Sequence, residues 1–117
     1  MVCSPVMAFQ IGQSLSDPRQ AAEFWGLAET EFYDSPHFRM MHAYYLAEQG
    51  DRERFFAKLA ALVMDMPWVK EANLNLLEFM KQVDPSGQNV LPELRAEIEE
   101  RIQENGWTLQ GMHRMEL

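Results

Sequence analysis

The chain has 117 residues, of which 47% are hydrophobic and 24% are charged, a balance typical of a globular domain rather than a disordered segment. Its 18 acidic and 10 basic residues give a formal net charge of −8, which repels phosphate backbones and argues against direct nucleic-acid binding. The one cysteine, Cys3, excludes an internal disulfide and a cysteine-cluster metal site. A lone thiol favours a reducing compartment, so we expect a cytoplasmic protein.

The sequence also argues against a protein that is secreted or inserted in a membrane. No basic residue precedes Arg19, so the N-terminus lacks the positive segment of a secretory signal. The apolar runs, such as residues 59–64, are far shorter than the ~20 residues that a spanning helix needs. We therefore expect neither a membrane span nor a membrane partner.

Prolines mark three helix starts at regular spacing. Pro5, Pro36 and Pro67 recur at an interval of 31 residues. Proline is favoured in the first turn of a helix, where its missing N–H costs nothing. Serine precedes the first two of these prolines and is suited to cap the helix that follows.

Further helix boundaries fall between these prolines. Asp17 precedes Pro18 in a capping-box pattern, Gly50 and Asp51 end one helix and start the next, and residues 84–89 form a turn-rich break. These boundaries predict six helices, approximately over residues 5–15, 18–33, 36–49, 52–65, 68–83 and 91–104.

The predicted fold is all-α. No segment alternates with the period of a strand, and the connections are short enough to join antiparallel helices. Three such hairpins at a near-constant interval predict one helical-repeat domain over residues 1–106, followed by a C-terminal tail over residues 107–117. Helix 52–65 has a broad apolar face suited to burial between neighbours, whereas helix 91–104 has a narrow apolar seam suited to the end of an array.

The stretch from His42 to Trp68 resembles a tetratricopeptide repeat. It carries a small residue at Ala43 in its first helix, a Gly-Asp turn at residues 50–51 and a terminal proline at Pro67. Residues 17–34 match the second helix of the repeat in part, and Asp17 lies 34 residues before the Asp of the later turn, the family's period.

The resemblance implies a right-handed array of three stacked hairpins that binds peptides or helices in a concave groove. It implies scaffolding or chaperone work without catalytic machinery. The chain departs from the family at Phe55 and Leu62, which stand where the family prefers alanine, so we expect that hairpin to be splayed or differently packed.

The search for catalytic and metal motifs finds little. The glycines form no phosphate-binding loop, and His37 and His42 are five residues apart, so they do not share a helix face as a metal pair would. We therefore predict no catalytic residue, no metal and no cofactor, and a protein that is not an enzyme.

The resemblance places a partner-binding surface on the inner helices. By the geometry of the repeat, His37, Met40 and Tyr44 would line the groove, joined by Leu74 and Glu78 from the next inner helix. The alternative is that these side chains pack in the core. A groove that is apolar at its centre and acidic at its edge suits an amphipathic or basic polypeptide partner, and in its absence we expect a homodimer.

Two functional interpretations remain open on sequence. The first is an adaptor or chaperone that holds a partner helix or peptide in its groove. The second is a small acidic inhibitor that occupies a basic or nucleic-acid-binding surface of another protein. An apolar concave groove would favour the first, and a one-sided surface of Glu and Asp would favour the second.

Overall fold

The computed structural model describes residues 4–108, and six helices occupy 75% of them, with no strand in that part of the chain. The helices are α1 (Pro5–Ser14), α2 (Pro18–Glu31), α3 (Pro36–Glu48), α4 (Arg52–Asp65), α5 (Lys70–Val83) and α6 (Pro92–Asn105). The all-α prediction is confirmed, and every helix end lies within two residues of its predicted position.

Side-chain caps explain why three of the helices begin where the sequence predicts. The Ser4 hydroxyl accepts the N–H of the third residue of α1 at 3.2 Å. A carboxylate oxygen of Asp17 accepts an N–H of α2 at 3.0 Å, and one of Asp51 accepts an N–H of α4 at 3.2 Å. Each bond satisfies a backbone donor that the start of a helix leaves without a partner. The hydroxyl of Ser35 makes no such bond at the start of α3.

Residue contacts group into two compact units, one ending at Lys58 and the other beginning at Leu59. The boundary falls inside α4, so the two ends of this helix belong to different units. The single repeat domain over residues 1–106 stays a prediction. The C-terminal tail over residues 107–117 also stays a prediction, since residues 109–117 lie outside the described residues.

The first unit is built around Trp25, which is fully buried. Helix α2 packs on α1 and, more extensively, on α3. The Trp25 ring centroid lies 5.3 Å from that of Phe9 on α1, and 5.8 and 6.4 Å from those of Phe38 and Tyr45 on α3. These aromatic pairs join the three helices into one core.

Gly12 allows α1 to approach this core closely. A Cβ atom at Gly12 would lie 2.3 Å from Cζ2 of Trp25 and 2.6 Å from two other ring atoms. Those distances are far below van der Waals contact, so a side chain at this position would force the helix and the ring apart.

The second unit contains the packed pair α5 and α6. Leu76 and Met80 of α5 and Ile98 of α6 are fully buried. Buried Asn73 donates to the carbonyl oxygens that precede α5, those of residues 67 and 69, at 3.0 and 2.7 Å. Its own side-chain oxygen accepts a 2.7 Å hydrogen bond from Arg101 Nη1, which ties α5 to α6.

The α5–α6 connection is organised by the Asp84 carboxylate. It accepts the backbone N–H groups of Asn89 and Val90 at 2.9 and 2.8 Å and the hydroxyl of Ser86 at 2.8 Å. These bonds, with the one from Val90 first, lower the pKa of Asp84 from 3.8 to about 2. The turn-rich break predicted from the sequence is therefore a hydrogen-bonded loop.

None of the helices in residues 4–108 has both the length and the apolar content to cross a bilayer. The tetratricopeptide resemblance stays a prediction. Phe55 and Leu62, which depart from the family pattern, are each only 1% exposed.

Candidate functional site

The five residues predicted to bind a partner differ widely in exposure. His37 is exposed, and Tyr44 and Glu78 are half-buried. Met40 and Leu74 are only 4% and 5% exposed, so they offer a partner little surface in the free chain. His37, Met40 and Tyr44 belong to the first unit, and Leu74 and Glu78 belong to the second. The groove itself stays a prediction.

An apolar surface of the first unit lies where α1 meets the start of α3. It surrounds a cavity of about 510 Å³, and we call it the α1–α3 surface. Its lining residues are Pro5, Val6, Phe9, Gln10, Gln13, Ser35, His37 and Phe38. Among the predicted partner-binding residues, His37 is in this set and the other four are not.

Helix α1 is apolar on its outer face as well as its inner one. Ala8 and Gly12 are buried against the core. Val6, Met7 and Ile11 are 67%, 54% and 43% exposed. The sequence of α1 contains no charged residue, although the chain carries a net charge of −8. Val6 lines the α1–α3 surface, whereas Met7 and Ile11 do not, and an exposed apolar residue beside an apolar cavity is typical of an interaction site.

A second feature of the first unit is a buried cluster of charged groups around Glu29, whose side chain is 5% exposed. One of its oxygens lies 2.5 Å from Nδ1 of His42 on α3. Lys58 on α4 donates to both carboxylate oxygens at 3.1 Å. The Nε atom of Arg39 lies 3.9 Å away. Two helices, α3 and α4, thus direct nitrogen atoms at one carboxylate of α2.

This arrangement keeps the carboxylate ionised. Burial by itself would raise the pKa of Glu29, but the hydrogen bonds from His42 and Lys58 and their charge outweigh it and lower the pKa from 4.5. An ionised carboxylate can only accept a hydrogen bond, so the His42 nitrogen that faces it, Nδ1, carries a proton. The other ring nitrogen, Nε2, is left for a different interaction.

The cluster adjoins an open cavity of about 630 Å³, which we call the His42 cavity. Its lining residues come from α2, α3 and α4 and the α3–α4 connection: Arg19, Ala22, Glu23, Gly26, Leu27, Thr30, His42, Leu46, Gln49, Arg54 and Lys58. The cavity thus combines apolar walls with cationic groups, and one wall is an imidazole held by a buried carboxylate.

Sequence reasoning missed Glu29 and the role of His42, although a signal was present. Ala22, Trp25 and Glu29 lie at helical spacing on one face of α2, so a carboxylate occurs within an apolar stripe. His42 lies likewise between Phe38 and Leu46 on α3, all three of them buried. Opposite charges at core-facing positions of consecutive helices indicate a buried pair, because an unpaired buried charge is costly.

The side-chain N–H groups of Asn73 and Asn75 donate to backbone carbonyl oxygens. The Asn75 side chain donates to the carbonyl oxygen of Glu71 at 2.9 Å, and that of Asn73 makes the bonds described above. No group of three or more His, Cys, Asp or Glu residues within 4–108 is placed to hold a metal ion.

No protein-family model, curated protein or solved structure matches the chain significantly.

Proposed function

We propose that the chain is a non-enzymatic interaction module, of the adaptor or chaperone type, that holds an amphipathic helix of another polypeptide on its α1–α3 surface. The observation that carries this proposal is the exposed apolar face of α1. Val6, which lines the α1–α3 surface, is 67% exposed on a helix that has no charged residue. Burying a Val side chain fully is worth about 1.5–3 kcal/mol, so its outward position beside an apolar cavity favours association.

The proposed occupant is a helix because the described part of the chain has no strand whose edge could pair with an extended peptide. A partner helix can instead lay its apolar stripe on α1 and fill the cavity between α1 and α3. Because the chain has a net charge of −8, basic residues beside that stripe would be attracted to it.

Of the residues predicted to line the groove, His37 also lines the α1–α3 surface. The centre of the proposed contact is α1 rather than the inner helices of a repeat. Met40 is only 4% exposed and does not line the α1–α3 surface, so it has no assigned contact with the partner. Leu74, also buried, and Glu78 belong to the second unit and have no assigned part in it.

The test compares two variants of equal chemical type. Val6→Glu with His37→Glu places charge at two exposed residues of the α1–α3 surface, whereas Met64→Glu places it at an exposed apolar residue of α4, 70% exposed. Each protein is used to capture partners from native lysate. The captured chain is identified, and its affinity for the purified variants is measured by calorimetry.

We expect the double variant to lose binding and Met64→Glu to retain it. The melting midpoints should stay close to that of the wild type, because Val6, His37 and Met64 are all exposed. Unchanged affinity in the double variant would exclude the α1–α3 surface. A captured segment with no basic amphipathic helix would contradict the proposed partner. If sedimentation shows a homodimer that the double variant dissociates, a second copy is the occupant and the proposed partner is wrong.

A further inference from the structure

We propose that the His42 cavity is a binding site for a small oxyanion, that is, the carboxylate or phosphate group of a small molecule. This inference does not depend on the proposed function, because the His42 cavity and the α1–α3 surface have no lining residue in common.

The charge of the lining favours an anion. Arg19, Arg54 and Lys58 contribute three permanent cations to the lining, against one carboxylate from Glu23. The charged groups next to the lining add Glu29, Asp51 and Arg39, which leaves an excess of one positive charge. This local excess occurs in a chain whose overall formal charge is −8. A concave surface with an excess of one sign of charge raises the local concentration of ions of the other sign.

The two arginines are available to a ligand. Arg19 approaches Glu23 only at 4.0 Å, and Arg54 approaches Asp51 only at 4.0 Å. The side chains of Arg19 and Arg54 are 84% and 62% exposed, so both contacts are weak and screened by solvent. An oxyanion in the cavity would offer both guanidinium groups a closer, hydrogen-bonded acceptor.

Two further nitrogen atoms are held in place at the wall of the cavity. Lys58 Nζ donates to both oxygens of Glu29, and since an ammonium group has three N–H donors, one is left for a ligand. The Glu29 carboxylate binds Nδ1 of His42 and so turns Nε2 away from itself. Nε2 lies beside Gly26, which also lines the cavity, and it is the atom from which an imidazolium ring would donate to an oxyanion.

Gly26 keeps the space beside this imidazole open. A Cβ at that position would lie 3.3 Å from both Cε1 and Nε2 of His42, tighter than an ordinary contact. The remaining walls include Ala22, Leu27 and Leu46, which suit the apolar body of a small molecule. The volume of about 630 Å³ is within the range of small-molecule sites.

The experiment uses the full chain with its histidines isotopically labelled. The sequence has only His37, His42 and His113, so each ring signal can be assigned by substituting Gln at one position at a time. The chain is titrated at pH 7 with inorganic phosphate, and separately with acetate, against chloride at matched ionic strength. We expect at least one of the two oxyanions to shift the His42 signals saturably while those of His37 stay in place.

Three substitutions test the residues that would hold the anion. Lys58→Met should weaken binding about tenfold or more, the usual effect of losing a hydrogen bond to a charged group. Arg54→Gln should weaken anion binding less than Lys58→Met does. Because it leaves the Glu29 cluster intact, this variant tests the site even if the Lys58 variant is unstable. Gly26→Ala should weaken binding by crowding the imidazole. Arg52→Gln removes the same charge from an exposed residue that does not line the cavity and should leave affinity unchanged.

The proposal is overturned if neither phosphate nor acetate shifts the His42 signals more than chloride does. It is also overturned if the shifts do not saturate or affect His37 equally, because that pattern indicates an adventitious ion only. Equal affinities for the Arg54→Gln and Arg52→Gln proteins would show that the anion binds elsewhere. Saturation by one oxyanion and not by the other would support the site and identify its ligand class.

Discussion

Replacing Glu29 by Gln should destabilise the protein substantially, because it removes the charge through which α2 contacts side chains of α3 and α4. The carboxylate accepts hydrogen bonds from His42 and Lys58 and faces Arg39 at 3.9 Å. Removing one partner of a buried ion pair typically costs about 3–5 kcal/mol. Gln keeps the size and one acceptor oxygen, and Lys58, with its side chain 34% exposed, can turn towards water. We therefore expect about 2–3 kcal/mol, at or just below the lower end of that range.

The matched control is Glu23→Gln on the same helix. The Glu23 and Arg19 side chains are 72% and 84% exposed and 4.0 Å apart, so this change should cost less than about 0.5 kcal/mol. Urea denaturation followed by circular dichroism at pH 7 measures both variants. If Glu29→Gln and Glu23→Gln agree within about 0.5 kcal/mol, the Glu29 cluster does not stabilise the fold and our reasoning is wrong.

The same pair of proteins should differ in the dependence of their stability on pH. The pKa of Glu29 is lower in the folded chain than its ordinary value of 4.5. The unfolded chain therefore takes up the proton first as the pH falls. The stabilisation by the Glu29 carboxylate is present above pH 4.5 and is lost progressively below it, so the gap between wild type and Glu29→Gln should narrow in acid. A gap that stays constant down to pH 3 would contradict the lowered pKa.

Three further substitutions test the packing and the α5–α6 loop. Gly12→Ala should destabilise the fold by about 1–3 kcal/mol, since its Cβ would lie 2.3 Å from the Trp25 ring, and a gain in thermal stability would contradict this close approach. Leu59→Ala should cost about 2–5 kcal/mol in urea denaturation because Leu59 is fully buried, and a loss below about half a kcal/mol would refute its role in the core. Because the pKa of Asp84 is lowered from 3.8 to about 2, its stabilisation is present above pH 3.8 and lost as the pH falls through about 2. Asp84→Asn should lack this part of the acid-induced loss, and stability profiles of wild type and variant that run parallel between pH 4 and pH 2 would exclude it.

The positions of the helices could be predicted from sequence because local signals determine them. Pro5, Pro18 and Pro36 stand at first helical positions, and Ser4 and Asp17 make the side-chain caps expected of them. Such signals depend on neighbours in the chain, so they can be read without knowledge of the fold.

The site was harder to predict, because it depends on which face of each helix is covered. Helix α3 is apolar on more than one side, and the sequence does not say which side packs on α2. Met40 was assigned to an open groove but is buried, whereas His37 is exposed as expected. The Glu29 and His42 side chains lie 13 residues apart in the chain and meet only because α2 packs on α3.

The most direct test of the proposed function uses His37 and His42 as reporters of the two sites. The partner segment captured by the wild-type chain is added to histidine-labelled protein, and the ring signals are followed through the titration. Binding on the α1–α3 surface should shift the signals of His37, which lines that surface, and leave those of His42, which lines the other cavity. Shifts at His42 alone, or binding that perturbs neither ring, would show that the partner does not occupy the α1–α3 surface.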